Sequence, residues 1–413
     1  MKNVKKVGLQ LILLIFLLLL NGCATVAPRL QESGLNSDFS LSHDTPFEVY
    51  VRTTLALIEK CRVDLNDMNK EKVMQANAPF ELRPQETLFP KTKAGKYQKG
   101  VLLIHGLSDS PYLMQPIARH LQARGFLVRA ILLPGHGTVP GDLLKVTYEA
   151  WIKAVAYGAA TLRADAEQVY LGGFSTGGAL SVLHALRDDD IKGLFLFAPA
   201  LAVKDQRVAL AGFLGALTDW IGPLRDDVDY VKYESFAANA AYQIYLLTEE
   251  VHAGLEARQK LNMPIFAALS EDDTTVDAAR TLDVMRQYGT SKKNRIVLYT
   301  KDSKKPRGAI AGVVMQENSS LPGERILDFS HIAVTIPPDN PHYGVNGDYR
   351  SCLHYQAESE KRTLCLHSQD VWQGEITAEN LKIGVVRRLS YNPLHGKMME
   401  HLDRFLEEVS QRP

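Results

Sequence analysis

The pattern with the clearest chemistry is Gly173-Phe174-Ser175-Thr176-Gly177, a serine with a glycine two residues away on each side. The run QVYLGGF before the serine is typical of a strand, and ALSVLHAL after it is typical of a helix. A serine on such a tight strand-to-helix turn presents its hydroxyl at the edge of a sheet, and the glycines leave room for the turn. A glycine-rich surface turn is the alternative. We predict that Ser175 is a nucleophile.

Such a nucleophile needs backbone N–H groups that bind the negative oxygen formed when a carbonyl is attacked. The Thr176 amide is one expected donor. The other is the Leu107 amide, in the loop that follows the strand-like run VLLIH. His105 in this loop and His136 in LPGHG are expected to shape their loops by hydrogen bonding rather than to react.

The elements that must position these residues alternate between short apolar runs and amphipathic helices from residue 100 onward. Strands are predicted at 101–105, 127–133, 168–174, 193–199, 264–270 and 295–300, with helices at 116–124, 148–162, 177–186 and 278–288. This alternation predicts an α/β fold with a doubly wound, mostly parallel sheet.

Two segments interrupt the alternation. Residues 202–261 have helical patterns and are predicted to form a small cap over the carboxyl edge of the sheet. Residues 336–390, rich in Pro, Asn, Tyr and His, are predicted as a second insertion before a final helix at 394–409. The predicted domain spans residues 46–413 and includes a helix at 47–63.

The stretch LLIHGLSDSPYLMQPIARHLQARGFLVRAILLPGHG, followed by GGFSTGG, resembles the monoacylglycerol lipase and thermostable carboxylesterase branch of the α/β-hydrolase superfamily, often described with the serine aminopeptidase domain. The resemblance covers about residues 98–331 and the last helix. It implies hydrolysis of monoacylglycerols or short to medium acyl esters through an acyl-enzyme, without metal or cofactor. It also implies an oxyanion hole at Leu107 and Thr176. An aminopeptidase or amidase, and an inactive envelope-binding lipoprotein, are the alternatives.

The acid of such a site is expected after a late strand, in the chain order Ser, Asp, His. The loop after PIFAALS contains four carboxylates, Glu271, Asp272, Asp273 and Asp277. The family pattern of an Asp followed by two residues and a Val selects Asp273, with Asp272 as the alternative. Asp277 is expected to cap the following helix.

The base must be a histidine downstream of that loop. His331 is predicted because it directly follows the strand-like run ERILDF. About sixty residues separate it from Asp273, and the extra segment at 301–320 is predicted as a hairpin or loop. The other candidates are His342, His354, His367, His395 and His401.

The N-terminus has the pattern of an export signal. Lysines precede the apolar run Val7–Leu20, which is shorter than the roughly 20 residues that a membrane-spanning helix needs. The run leads into Leu20-Asn21-Gly22-Cys23, which resembles a bacterial lipobox. The resemblance implies a signal peptide at 1–22, acylation of Cys23, and anchoring in the bacterial envelope, at the outer membrane. The alternative is a plain secretory signal that releases a periplasmic protein.

If the protein is exported, its remaining cysteines can form disulfides, because the periplasm is oxidising. Cys352 and Cys365 lie close together in a polar stretch and are predicted to pair, which leaves Cys61 free on an apolar helix face. The sequence contains no CxxC or HxxxH spacing, so a metal site is not expected. Residues 23–45, rich in Ser, Asn and Asp, are predicted as a tether between lipid and domain.

The charge balance excludes one class of partner. The chain has 47 basic and 47 acidic residues, whereas a nucleic-acid binder needs a basic excess to neutralise phosphates. The expected partners are a small acyl-ester substrate and a membrane, reached through the lipid anchor. The sequence leaves the oligomeric state open.

Overall fold

The computed structural model describes residues 26–202, 204, 218–224, 226–304 and 310–411. The predicted signal peptide (1–22) and Cys23 lie outside these residues. The strands are β1 (Phe80–Leu82), β2 (Tyr97–Ile104), β3 (Phe126–Ile131), β4 (Ala166–Phe174), β5 (Ile191–Phe197), β6 (Trp220–Ile221), β7 (Phe236–Ala237), β8 (Ile265–Ser270), β9 (Arg295–Thr300), β10 (Val313–Asn318), β11 (Trp372–Gly374) and β12 (Val386–Arg388). The α-helices are α1 (Phe47–Cys61), α2 (Lys70–Asn77), α3 (Gln115–Ala123), α4 (Tyr148–Asp165), α5 (Thr176–Arg187), α6 (Ala238–Arg258), α7 (Ala278–Tyr288), α8 (Ser359–His367) and α9 (His395–Ser410).

One eight-stranded sheet organises the fold, in the order β1-β3-β2-β4-β5-β8-β9-β10. Strand β1 is antiparallel to β3, and every other neighbouring pair in this sheet is parallel. Parallel neighbours end at the same edge of a sheet, so the loops after β2, β4 and β8 meet there. The predicted α/β class with a mostly parallel sheet is confirmed.

Helices cover both faces of this sheet. In β2, Leu102 and Ile104 pack into a core shared with α4, α5, α6 and α7. The alternate residues Val101 and Leu103 pack into a second core shared with α3 and α9. This alternation is what a strand buried on both faces requires, because successive side chains point to opposite sides. The doubly wound arrangement is therefore confirmed.

The segment between β9 and His331 differs from the prediction. The sequence predicts a hairpin or loop at 301–320, but Val313–Asn318 form β10, which pairs in parallel with β9. The run ERILDF, predicted to be strand-like, is not a strand of the sheet. Pro322–Glu324 form a short 3-10 turn there, and Arg325 has a φ of 56° that ends any extended run.

The second insertion has its own regular structure. It contains α8, and its strands β11 and β12 pair in parallel. Cys352 and Cys365 are joined by a disulfide, which confirms the predicted pair. Among the described cysteines, Cys61 is free and is buried on α1.

The described part of residues 202–261, the segment predicted as a cap, includes α6. Helix α6 packs on α5, and Leu247, Val251 and Leu255 of α6 belong to the core of the sheet. These large apolar side chains are buried, so α6 is part of the main body. The described remainder includes the antiparallel pair of β6 and β7. Residues 205–217 lie outside the described part of the chain.

Residues 26–45, predicted as a tether, lie against the domain. The Ser33 N–H donates to Asp142 at 2.7 Å, and the Asn36 amide donates to the His136 carbonyl at 2.9 Å. Arg29 pairs with Asp227. The described part of this segment is therefore attached to the domain. Within the described chain, no helix has the length and apolar character needed to cross a membrane.

Candidate active site

Ser175 lies on a sharp turn between β4 and α5. Its φ of 53° and ψ of −116° are strained for a residue with a side chain. A Cβ at Gly173 would come within 2.1 Å of the Gly177 backbone, and a Cβ at Gly177 would come within 2.0 Å of the Ile104 carbonyl. Only glycine fits at these two positions. The local sequence therefore produces the tight turn that was predicted.

Asp273 and His331 are brought together at the same edge of the sheet. The Nδ1 atom of His331 lies 2.6 Å from Oδ2 of Asp273, and both side chains are buried. The other oxygen of Asp273 accepts the N–H groups of Thr275 at 2.7 Å and Val276 at 3.0 Å. Burial alone would raise the pKa of Asp273, but His331 and these N–H donors hold it below its usual value. The carboxylate is thus ionised and fixed against the ring.

A single cavity joins the predicted residues. Ser175, Thr176, Leu107 and His331 all line a space of about 580 Å³. Part of its wall is apolar, including Phe236, Ala241, Ile244, Val276, Ile332 and Ile376. Charged side chains also line it, namely Asp109, Lys232, Glu234, Glu375 and Arg388. The cavity therefore offers an apolar surface and a polar surface next to the Ser175 hydroxyl.

The two predicted amide donors lie in this wall. Thr176 is the first residue of α5, where the N–H groups of the first turn have no acceptor within the helix. Leu107 lies in the loop after β2. Both amides belong to backbone that is held in place before any substrate arrives.

Two buried imidazoles hold the loop that carries Leu107. The Ser108 N–H donates to Nε2 of His136 at 3.0 Å, and the Leu133 N–H donates to Nε2 of His105 at 3.0 Å. Burial, together with the neighbouring His136, lowers the pKa of His105 well below its usual value; burial lowers the pKa of His136 to about 4. Neutral rings accept these bonds, so both histidines have the loop-shaping role that the sequence predicts.

Comparison with known proteins finds relatives of this chain. Residues 95–232 match the family described as "Serine aminopeptidase, S33". A thermostable monoacylglycerol lipase of Bacillus sp. (strain H-257) is 28% identical over 205 residues, covering 48% of this chain and 79% of the relative. A carboxylesterase of Bacillus subtilis (strain 168) is 25% identical over 187 residues, covering 37% and 76% of the two chains. The matched residues include Leu107, Ser175 and Thr176.

Solved structures also show similarity to this chain. A metagenome-derived lipolytic enzyme from work on LipS and LipT aligns with a TM-score of 0.47 and 18% identity, over 59% of this chain and 88% of the other. A monoacylglycerol lipase of Paleococcus ferrophilus aligns with a TM-score of 0.42 and 20% identity, over 58% and 88% of the two chains.

The remaining carboxylates of the acidic loop have other partners. Asp272 accepts the Ser319 hydroxyl at 2.5 Å, on the side of β10. Burial raises the pKa of Asp272. Asp277 accepts the Arg280 N–H at 3.1 Å and so caps α7, as predicted. Of the two candidates, Asp273 is the one that contacts His331.

The other candidate histidines lie in different surroundings. His342 is buried between Asp229 and Asp348, with 2.9 Å from its Nε2 to Asp229. His354 lines the cavity, and its Nε2 lies 2.9 Å from the Val386 carbonyl. His367 is exposed on α8. His395 and His401 are buried on α9, and Nε2 of His401 lies 3.1 Å from Glu317 of β10.

Two acidic residues of the cavity have no signal in the sequence. Asp109 is buried, its Oδ1 has no hydrogen-bond partner among the described residues, and burial raises its pKa to about 6. Glu375 comes from the second insertion and lies beside His331. Among the described residues, no group of three or more His, Cys, Asp or Glu side chains is arranged to hold a metal ion.

Proposed function

We propose that this protein is a hydrolase that cleaves carboxylic esters through an acyl-enzyme formed on Ser175. The observation that carries the proposal is the contact of 2.6 Å between Asp273 and His331 at a cavity that Ser175 also lines. A serine hydroxyl becomes an effective nucleophile when an imidazole takes its proton and a carboxylate holds that ring in the required tautomer.

The proposed reaction has two halves. The Ser175 oxygen attacks the ester carbonyl carbon while Nε2 of His331 takes the hydroxyl proton. The carbonyl electrons move onto its oxygen, to which the Leu107 and Thr176 amides donate. The C–O bond to the alcohol then breaks, and the alcohol leaves with the proton from His331. Water repeats the sequence on the acyl-enzyme, which releases the acid and restores Ser175.

The proposed substrates are monoacylglycerols or other esters of short to medium acyl chains. The relatives named above, a monoacylglycerol lipase and a carboxylesterase, support this substrate class. The apolar wall formed by Phe236, Ile244 and Ile332 is suited to an acyl chain. A volume of about 580 Å³ is in the usual range for small-molecule sites.

A substrate panel tests this proposal. Purified protein is assayed with p-nitrophenyl esters of graded chain length, with monoacylglycerols, and with aminoacyl amides. We expect kcat/KM for the best ester to exceed that for any amide by roughly 100-fold or more. Faster turnover of amides would favour an aminopeptidase, for which Asp109 and Glu234 offer carboxylates in the cavity. No turnover of either class would favour an inactive envelope lipoprotein.

We also propose that Cys23 carries the lipid that holds the protein in the outer membrane. Several acyl chains, each stabilising by about 0.8 kcal/mol per buried methylene, give stable anchoring. Cys23→Ala is expected to abolish palmitate incorporation and to move the protein to the aqueous phase in detergent partitioning. Cys61→Ala is the matched control and is expected to stay lipidated. A Cys23→Ala protein that still partitions with detergent would favour the plain secretory signal.

A further inference from the structure

The second insertion places a buried carboxylate beside the predicted general base. Glu375 directly follows β11 and is 1% exposed. Its Oε2 accepts the His331 N–H at 3.4 Å and lies 3.5 Å from the Thr274 nitrogen. Thr274 is the neighbour of Asp273. One oxygen therefore contacts the backbone of both segments that carry the Asp273–His331 pair.

The contact is reciprocal. The Glu375 N–H donates to Oδ1 of Asp328 at 2.6 Å, and Asp328 lies three residues before His331. The Leu327 N–H also donates to the Gln373 carbonyl at 2.8 Å. The insertion and the segment leading to His331 thus hold each other through backbone and side-chain bonds. This replaces the sheet strand that the sequence predicts before His331.

The carboxylate of Glu375 is ionised. Burial alone would raise its pKa, but Arg388 and the Ile376 N–H hold the pKa below its usual value. The Arg388 guanidinium lies 3.0 Å from Oε1, and the Ile376 N–H donates to the same oxygen at 3.0 Å. Two negative charges, those of Asp273 and Glu375, therefore lie next to His331, and one of them is paired with an arginine.

We propose that Glu375 is a positioning residue for His331: its carboxylate holds the backbone of the His331 and Asp273 loops in register, and its charge favours the imidazolium formed when His331 takes a proton. This inference rests on the proposed function, because it assigns Glu375 an effect on that reaction. Glu375 itself belongs to the second insertion, where it directly follows β11.

Other charged groups face His331 and must be counted. Asp273 contacts its ring, and the buried Asp109 interacts with it across the cavity. Arg388 contacts both oxygens of Glu375, at 3.0 Å and 3.3 Å, and lines the same cavity, so it reduces the field of that carboxylate. Removing the Glu375 charge leaves Asp273, Asp109 and Arg388 in place, so the net charge around the His331 ring becomes more positive. An imidazolium is then less favoured.

The test compares Glu375→Gln with wild type. Glutamine keeps the size and one acceptor oxygen but removes the charge. We expect kcat with a p-nitrophenyl ester to fall roughly 10-fold while KM stays within about twofold. We also expect the acidic limb of the kcat/KM profile to move to lower pH by about half a unit, because a neighbouring negative charge favours the protonated ring. Glu379→Gln, an exposed change on the same insertion, is the matched control and is expected to behave as wild type.

The outcomes separate the positioning role from others. A folded Glu375→Gln enzyme with a wild-type kcat and pH profile would overturn the inference, and so would a change confined to KM, which would indicate substrate contact instead. Fluorophosphonate labelling of wild-type Ser175 distinguishes the two proposals. If wild type is not labelled, the proposed function fails; if wild type is labelled and Glu375→Gln has an unchanged profile, only the role of Glu375 fails.

Discussion

Replacing Ser175 with alanine is expected to abolish labelling by a fluorophosphonate probe and to lower kcat by roughly 10⁴- to 10⁶-fold. The probe reacts only with an activated hydroxyl, and Ser175 is a serine on a strained turn, in a cavity that the Asp273–His331 pair also reaches. Labelling is followed by gel fluorescence, and turnover with a p-nitrophenyl ester.

The matched control for this prediction is Ser351→Ala. Ser351 lines the same cavity but lies on the second insertion, where it is not on a strand-to-helix turn like that of Ser175. We expect the Ser351→Ala variant to keep both fluorophosphonate labelling and ester turnover. Labelling that survives Ser175→Ala but disappears in Ser351→Ala would assign the nucleophile to the insertion.

Replacing His331 with alanine is expected to lower kcat by several orders of magnitude, roughly to the 10³- to 10⁴-fold acceleration over water that oxyanion donors and binding alone provide. Among the described histidines, His331 is the one whose ring contacts Asp273 and also lines the cavity. Without it, neither attack by Ser175 nor departure of the alcohol has a proton acceptor or donor. Steady-state assays measure kcat, and circular dichroism shows whether the variant is folded.

The histidines of the insertion supply the comparison. His354→Ala is the sharpest control, because His354 lines the cavity without contacting Asp273. We expect His354→Ala and His367→Ala to change kcat by less than about tenfold. His342→Ala is expected to lower thermal stability instead, because it leaves buried Asp229 without its ring partner. If a folded His331→Ala enzyme had near-normal turnover, the general base would instead be assigned to a histidine of the insertion.

The sequence predicts the part of the site that is encoded locally. The turn at Ser175 needs only a strand, glycines two residues away on each side and a helix, and all of these are contiguous. The loop with Leu107 follows the first long strand in the same way. Both positions were therefore predictable from a few residues of chain. The Asp273 position needed a family pattern, because four carboxylates share its loop.

The sequence does not predict features that depend on contacts between residues far apart in the chain. The prediction of His331 rests on the run ERILDF before it, yet that run is not a strand of the sheet, and its Leu327 N–H bonds to the insertion. Strand β10 was missed because its residues are only partly buried at the edge of the sheet and include polar side chains. Glu375 meets His331 across 44 residues of chain, and no local pattern indicates such a contact.

The buried rings of His105 and His136 also limit the pH range in which the fold is stable. In an unfolded chain, histidine takes up a proton near pH 6.5, whereas the pKa of folded His136 is about 4 and that of His105 is also well below 6.5. As the pH falls below 6.5, protons bind the unfolded chain preferentially, so the free energy of unfolding decreases; above that pH, the two rings contribute no pH dependence. For His136 alone the loss reaches roughly 3 kcal/mol by pH 4. Urea denaturation at pH 7 and at pH 5 would measure this loss. The same two rings that hold the loop beside Ser175 are therefore expected to make the protein acid-labile.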